Sequence, residues 1–299
     1  MTKTAAPMTS GSIWKQMTFF AMPIFLGNLF QQLYNTVDSL IVGNFLGSSA
    51  LAAVSSSGSL IFMLIGFLSG ISAGAGVIVA RFFGAGDEKN LQRAVHTTVA
   101  FGLVAGVLMT GVGVALSPQI LRWMDTPESV MRESVTYLQI YFAGSLGFVM
   151  YNVLVGILQA VGDSRHPLYY LIVSSVINLV LDLLFITGFH TGVGGAAVAT
   201  VISQIVSALL CFWQLLRTKE SYGLKIRKIR FDKGILVQII KIGLPSGVQN
   251  SIIAFANVIV QSNINAFGEM AMAGYGAYTK VEGFGFLPIN SFTMALTTF

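Results

Sequence analysis

Two carboxylates stand where a carboxylate is expensive. Asp38 and Asp182 each lie inside a long apolar run with no matching Lys or Arg beside them. A charge at bilayer depth costs at least about 2.5–3.5 kcal/mol even on lenient scales. Gln31, Tyr34 and Asn35 precede Asp38 by seven, four and three residues, which puts all four on one helical face. Asn178 precedes Asp182 by four residues, and Tyr137, Asn152 and Thr200 add a phenol, an amide and a hydroxyl from other runs. Such an oxygen-rich set suits a hard cation such as sodium, whereas a proton would sit on one of the carboxylates. An isolated Asn or Tyr in an apolar run is explained by a hydrogen bond to a neighbouring helix. Two buried aspartates ask for more, because each loses its hydration.

The composition says what positions them. Of 299 residues, 54% are hydrophobic and only 10% are charged, against roughly 25% charged in soluble domains. That excludes a disordered chain, a coiled coil and a soluble enzyme, and leaves an all-α polytopic membrane protein. Runs of roughly 20 apolar residues are needed to cross about 30 Å of hydrocarbon. Eight candidates lie at about 17–46, 50–82, 91–117, 129–160, 167–188, 194–216, 235–267 and 271–299. Gly84-Ala85-Gly86-Asp87, Ser117-Pro118, Asp125-Thr126-Pro127 and Gly162-Asp163-Ser164 read as the turns between them. The runs do not alternate polar with apolar residues, so a closed barrel is excluded. No cleavable signal is read at the start.

Charge sets the expected orientation. With the N-terminus in the cytoplasm, Lys3, Lys15, Arg81, Lys89, Arg93, Arg165, Lys241 and seven residues from Arg217 to Lys233 face inward. Only Arg122 and Arg132 face outward, and Lys280 is left inside the eighth run, an excess of 14 to 2. The expected location is the cell inner membrane, with Trp14, Trp123 and Trp213 at the interfaces. The net charge of +5 is thus a matter of topology and not of nucleic-acid binding. The basic stretch from Thr218 to Arg230 reads as a linker that sets topology, its rival being a surface for anionic lipid.

An offset of 222 positions lays the first run on the seventh. Pro23 meets Pro245, Asn28 meets Asn250, Asn35 meets Asn257 and Phe45 meets Phe267. After a one-residue deletion Gly47 meets Gly268, Ala50 meets Ala271 and Ala52 meets Ala273. Six helices per unit keep both units in one orientation, a parallel repeat of the kind transporters use. The expected plan is a complete six-helix N-lobe over 1–217, a cytoplasmic basic linker over 218–233 and the first two helices of a second lobe over 234–299. Phe299 falls opposite Ile78, so a full second unit would give about 440 residues and twelve helices. Val260 falls opposite Asp38, which makes any ion site one-sided.

Several segments resemble the multidrug and toxic compound extrusion (MATE) family: Pro23, Tyr34-Asn35-Thr36-Val37-Asp38-Ser39, Ala50-Leu51-Ala52-Ala53-Val54-Ser55, Arg81 to Asp87, Leu158 to Asp163 and Gly194 to Thr200. Their number and order make the match specific. The resemblance implies a twelve-helix antiporter with two lobes around a V-shaped cavity. It assigns the cation or proton site to Asp38, Asn178, Asp182 and Thr200, with Tyr34, Tyr137 and Asn152 lining the same cavity. It also makes Pro23 the point where the first helix bends. An acidic residue that some branches carry in the seventh helix is absent from Val248 to Asn265.

Other motifs read more plainly. Gly192-Val193-Gly194-Gly195 fits a dinucleotide fingerprint but follows no strand, so close helix approach is the better reading. Gly66, Gly70 and Gly74, and Gly102 and Gly106, suit small-residue packing between membrane helices. His96, His166 and His190 read as solvated interfacial residues, and Cys211 as an inert packing residue. No nucleophile–base pattern supports an enzyme. The expected function is efflux of an amphipathic, cationic organic molecule by a monomer, without a cofactor, driven by Na+ or H+. The alternative is a flippase of lipid-linked saccharides, which would need cavity cations for a pyrophosphate.

Overall fold

The computed structural model describes residues 12–123, 126, 128–265 and 269–298. Lys3, Asp125, Pro127, Phe267, Gly268 and Phe299 lie outside them, as do the side chains of Ser55, Ser56, Ser57, Ala271, Ala273 and Lys280. The described chain is built of helices: α1 (Ile13–Leu46), α2 (Ser48–Gly84), α3 (Glu88–Trp123), α4 (Glu128–Ala143), α5 (Ser145–Ala160), α6 (Arg165–Leu183), α7 (Gly192–Arg217), α8 (Lys233–Asn265) and α9 (Glu269–Thr298). At 1.5 Å per residue the 34 residues of α1 reach about 51 Å, so it must tilt or project beyond about 30 Å of hydrocarbon.

Among the described residues, five helices are long and apolar enough to cross a bilayer alone, and the α4–α5 pair makes a sixth. Helices α1 and α9 are not in that set. For α1 the reason is its own chemistry: Asn28, Gln31, Gln32, Asn35 and Asp38 interrupt the apolar sequence.

Three expected boundaries change. The run 129–160 is two helices, bent by 49° at Gly144. A Cβ on Gly144 would lie 2.3 Å from a methyl of Val201 in α7, so a glycine is required in the crook. Ser117-Pro118 is not a turn, because α3 continues through Pro118 to Trp123. The proline has no N–H for the carbonyl four residues earlier. That carbonyl, on Val114, instead accepts a bond from Gln139 Nε2 of α4 at 3.4 Å. Finally, α6 ends in a π-helical turn over Leu184–Gly188, just past Asp182. The turn at Gly84-Ala85-Gly86 forms as expected, with Gly86 at φ +68°. Bonds from the Asn90 backbone and side chain hold the Asp87 carboxyl below the usual carboxylate range.

The principal core gathers α2, α3, α5, α7 and the start of α8 around Val79, Val95, Leu158, Cys211 and Leu215. Cys211 is buried there, as a packing residue should be. Gly106 lets α3 approach Leu146 of α5, where a Cβ would sit 2.6 Å from its Cδ1. The most extensive helix contact joins α2 to α8. Cβ atoms on Gly70 and Gly74 would lie 2.3 Å from Gly247 N and 2.4 Å from Gly243 N. Backbone therefore meets backbone, and Asn250 Nδ2 donates to the Gly66 carbonyl at 3.1 Å beside them. The glycine spacing predicts such a face, and the structure shows that its partner is α8.

The repeat offset relates this joint to a second one. Asn28, opposite Asn250, donates from α1 to Ser291 Oγ of α9 at 3.2 Å. Ser291 stands opposite Gly70, and its hydroxyl donates a hydrogen bond to the Leu287 carbonyl at 2.7 Å. Leu287 is the counterpart of Gly66.

Candidate functional site

Asp38 and Asp182 are brought within electrostatic reach of one another from α1 and α6. Asp182 is fully buried. Asp38 Oδ1 and both Asp182 oxygens have no hydrogen-bond partner among the described residues. Tyr34, one turn before Asp38, and Tyr137 of α4 lie within electrostatic reach of both carboxyls. Ile41, Val42, Ile186, Val193 and Ala197 pack with Tyr137 in one buried apolar cluster.

Asn178 is buried on α6, one turn before Asp182, with its Nδ2 unpartnered among the described residues, and Thr200 is buried on α7. Sequence reasoning missed Gln204. Its side chain reaches Tyr34 from α7, and its Oε1 is buried without a partner among the described residues. The signal was available: a glutamine one turn after Thr200 in an apolar run obeys the same rule that singled out Asp38. Asn35 does not join the carboxyls, since its side chain is exposed.

Gln31 and Asn152 line a different space. A cavity of about 500 Å³ lies among α1, α2, α5, α6 and α9, nearer the Gly162–Ser164 end of the bundle than the carboxyls. Pro23 lines it within an unbroken α1. Its polar groups include Asn28, Gln31, Asn152, Gln159 and Asn290, and among the described residues no Asp, Glu, Lys, Arg or His lines it. Tyr151 lines it too and lies within electrostatic reach of Tyr34. The repeat recurs in its walls. Helix α2 contributes Ser69, Ser72, Ala73, Gly76 and Val77, and α9 contributes Asn290, Thr293, Met294, Thr297 and Thr298, which lie opposite those five α2 positions in the same order.

The histidines are not all solvated. His190 is exposed, but His96 is only 3% exposed. His166 Nδ1 meets Asp163 Oδ2 at 2.6 Å, at the start of α6. Among the described residues no three His, Cys, Asp or Glu side chains gather as a metal cluster.

A helical membrane bundle with paired buried acids and an inter-helix cavity is a transporter architecture. A family model described as MatE matches residues 23–184, more than half of the chain, and the chain belongs to that family of transporters. It is 34% identical over 295 residues to the probable multidrug resistance protein YoeA of Bacillus subtilis (strain 168), covering 96% of this chain and 64% of that relative. A MOP superfamily transporter from Pyrococcus furiosus, whose reverse pocket polarity is said to suggest a different function, superposes with a TM-score of 0.89 at 27% identity. An outward-facing conformation of a multidrug resistance MATE family transporter gives the same two values. Each alignment covers 96% of this chain and 64% of the solved one. The chain thus spans less than two thirds of the length of each of these three relatives.

Proposed function

We propose that this chain forms the ion-coupled part of a multidrug efflux antiporter of the inner membrane, with its N-terminus in the cytoplasm. The observation that carries this reading is the meeting of Asp38 and Asp182 with unpartnered oxygens and no cationic side chain beside them among the described residues. Two carboxylates in a low dielectric repel one another. A bound Na+, or one proton shared between them, removes that repulsion, and its loss restores it. Residues of the same wall, Asn178, Thr200 and Gln204, supply amide and hydroxyl oxygens of the kind a hard cation takes. Binding and release thus bias two arrangements of the bundle.

In this reading α1–α7 (to residue 217) form the N-lobe, 218–233 the linker, and 234–299 the start of a second lobe that rocks against the first. Helices α1 and α9 cross the bilayer with the others, and Pro23 is where α1 bends. The cargo is an amphipathic organic cation. A cavity lining without cationic side chains among the described residues argues against a lipid-linked pyrophosphate.

The test uses the full-length gene product. Asp38→Asn and Asp182→Asn should each abolish dye efflux driven by an ion gradient while membrane insertion stays intact. The amide keeps the shape but neither neutralises a cation nor exchanges a proton. Wild-type efflux by both variants overturns the reading.

A further inference from the structure

The 218–233 segment is a strap fastened to the bundle along one side. Tyr222 and Leu224 are buried, 1% and 3% exposed, with the Tyr222 ring against Phe83. Gln92 Nε2 of α3 donates to the carbonyls of Ser221 and Gly223. His96 Nδ1 donates to the Gln92 carbonyl at 2.6 Å, which leaves Nε2 to accept the Lys225 backbone N–H at 3.0 Å. Thr97 Oγ1 accepts the Asp232 N–H at 3.1 Å. Asp232 in turn pairs with Arg93 at 3.8 Å, and its Oδ1 accepts the Ile235 N–H in the first turn of α8.

What this fastening holds outward is basic and apolar together. Lys225, Arg227, Lys228, Arg230 and Lys233 are exposed, and none has an ion pair among the described residues. Ile226 and Phe231, between them, are 61% and 47% exposed. Nearby, Arg217 lies 4.4 Å over the half-exposed ring of Trp213 at the end of α7, a residue type that sits at headgroup level. Five cations interleaved with two apolar side chains suit a surface that is anionic outside and apolar just beneath. The strap joins the ends of two membrane helices, so the surface always within its reach is the lipid itself.

We propose that the Lys225–Lys233 strap is a binding site for anionic phospholipid headgroups, with Ile226 and Phe231 entering the acyl boundary. The two fastened residues His96 and Thr97 hold the cations in place before lipid arrives, which lowers the ordering cost of binding. Because the strap runs directly into α8, lipid bound there bears on the helix that packs against Gly70 and Gly74.

The full 299-residue chain, purified in neutral detergent, is titrated with phosphatidylglycerol, phosphatidylcholine or inorganic phosphate, and bound lipid is counted by native mass spectrometry. Phosphatidylglycerol should bind more tightly than phosphatidylcholine, and inorganic phosphate should not displace it. Each cation beside an anionic surface changes affinity about fivefold. Replacing four, in Lys225→Gln/Arg227→Gln/Lys228→Gln/Arg230→Gln, should therefore weaken phosphatidylglycerol binding by up to about 600-fold, and by no less than about tenfold. Ile226→Ser/Phe231→Ser should weaken both lipids, and Arg122→Gln/Arg132→Gln, at the other face, should change neither. Circular dichroism checks that the variants stay helical. If the fourfold variant fails to fold, Lys228→Glu alone carries the test, with an expected weakening of more than about fivefold. Equal affinity for the two lipids, displacement by phosphate, or unchanged affinity in the folded cation variant overturns the proposal.

Discussion

The α2–α8 and α1–α9 joints occupy equivalent positions of the repeat, yet they are made of different material. In the first, Gly70 and Gly74 meet Gly243 and Gly247, and the Asn250 amide bonds the Gly66 carbonyl directly. In the second, Ser291 and Ala295 replace the two α2 glycines, while Ala21 and Phe25 replace those of α8. Phe20, Ala21, Ile24 and Ala295 pack there as a small apolar cluster, and Asn28 reaches its carbonyl only through the Ser291 hydroxyl. The repeat thus conserves which helices touch and where the amide lies, but not how closely the backbones come. Backbone contact allows one separation. Side-chain contact allows several, because rotamers can change.

The largest effect should come from Gly70→Leu. A Cβ there already lies 2.3 Å from Gly247 N, so α2 and α8 must part. A loss of about 3 kcal/mol or more is expected from overpacking a backbone contact, read as a lower denaturant midpoint in mixed micelles. Ser291→Leu at the other joint should cost less, about 1–2 kcal/mol, if side chains there can yield. Equal losses would mean that the joints are equally stiff.

Asn250→Ala should come next, at about 0.6–1.7 kcal/mol for a lost interhelical bond in a membrane protein. Asn28→Ala should cost less in the same assay, because Ser291 Oγ keeps its bond to Leu287. A larger loss for Asn28 would reverse the ranking of the joints. Gly66→Ala should be smallest, within about 0.5 kcal/mol, because its Cβ would meet Asn250 Cβ at an ordinary 3.5 Å. A loss above about 2 kcal/mol at Gly66 would show that the whole glycine face is intolerant.

Much of this architecture is legible in the residues alone. Long apolar runs imply the helices, because hydrocarbon admits few alternatives. The glycine spacing announces a tight face but cannot name its partner, since the same spacing serves any neighbour. Asp38 and Asp182 stand out because a buried acid is costly wherever the chain puts it. The elbow at Gly144 is hidden, as the apolar sequence continues across it without a polar break. Pro118 misleads for a physical reason: the carbonyl it deprives is served by Gln139, a residue 25 positions beyond that carbonyl. His96 reads as a surface residue, yet the strap folds over it. Burial of that kind depends on a contact more than a hundred residues away in sequence.

The elbow carries a mechanical meaning of its own. Next in sequence to the buried Thr200, Val201 of α7 fills the crook at Gly144. Its methyl groups act as a wedge held between α4 and α5. Straightening the elbow would change the room left for that wedge, and α7 would have to give way at Val201. One isopropyl group thus ties the angle between two helices to the position of a third.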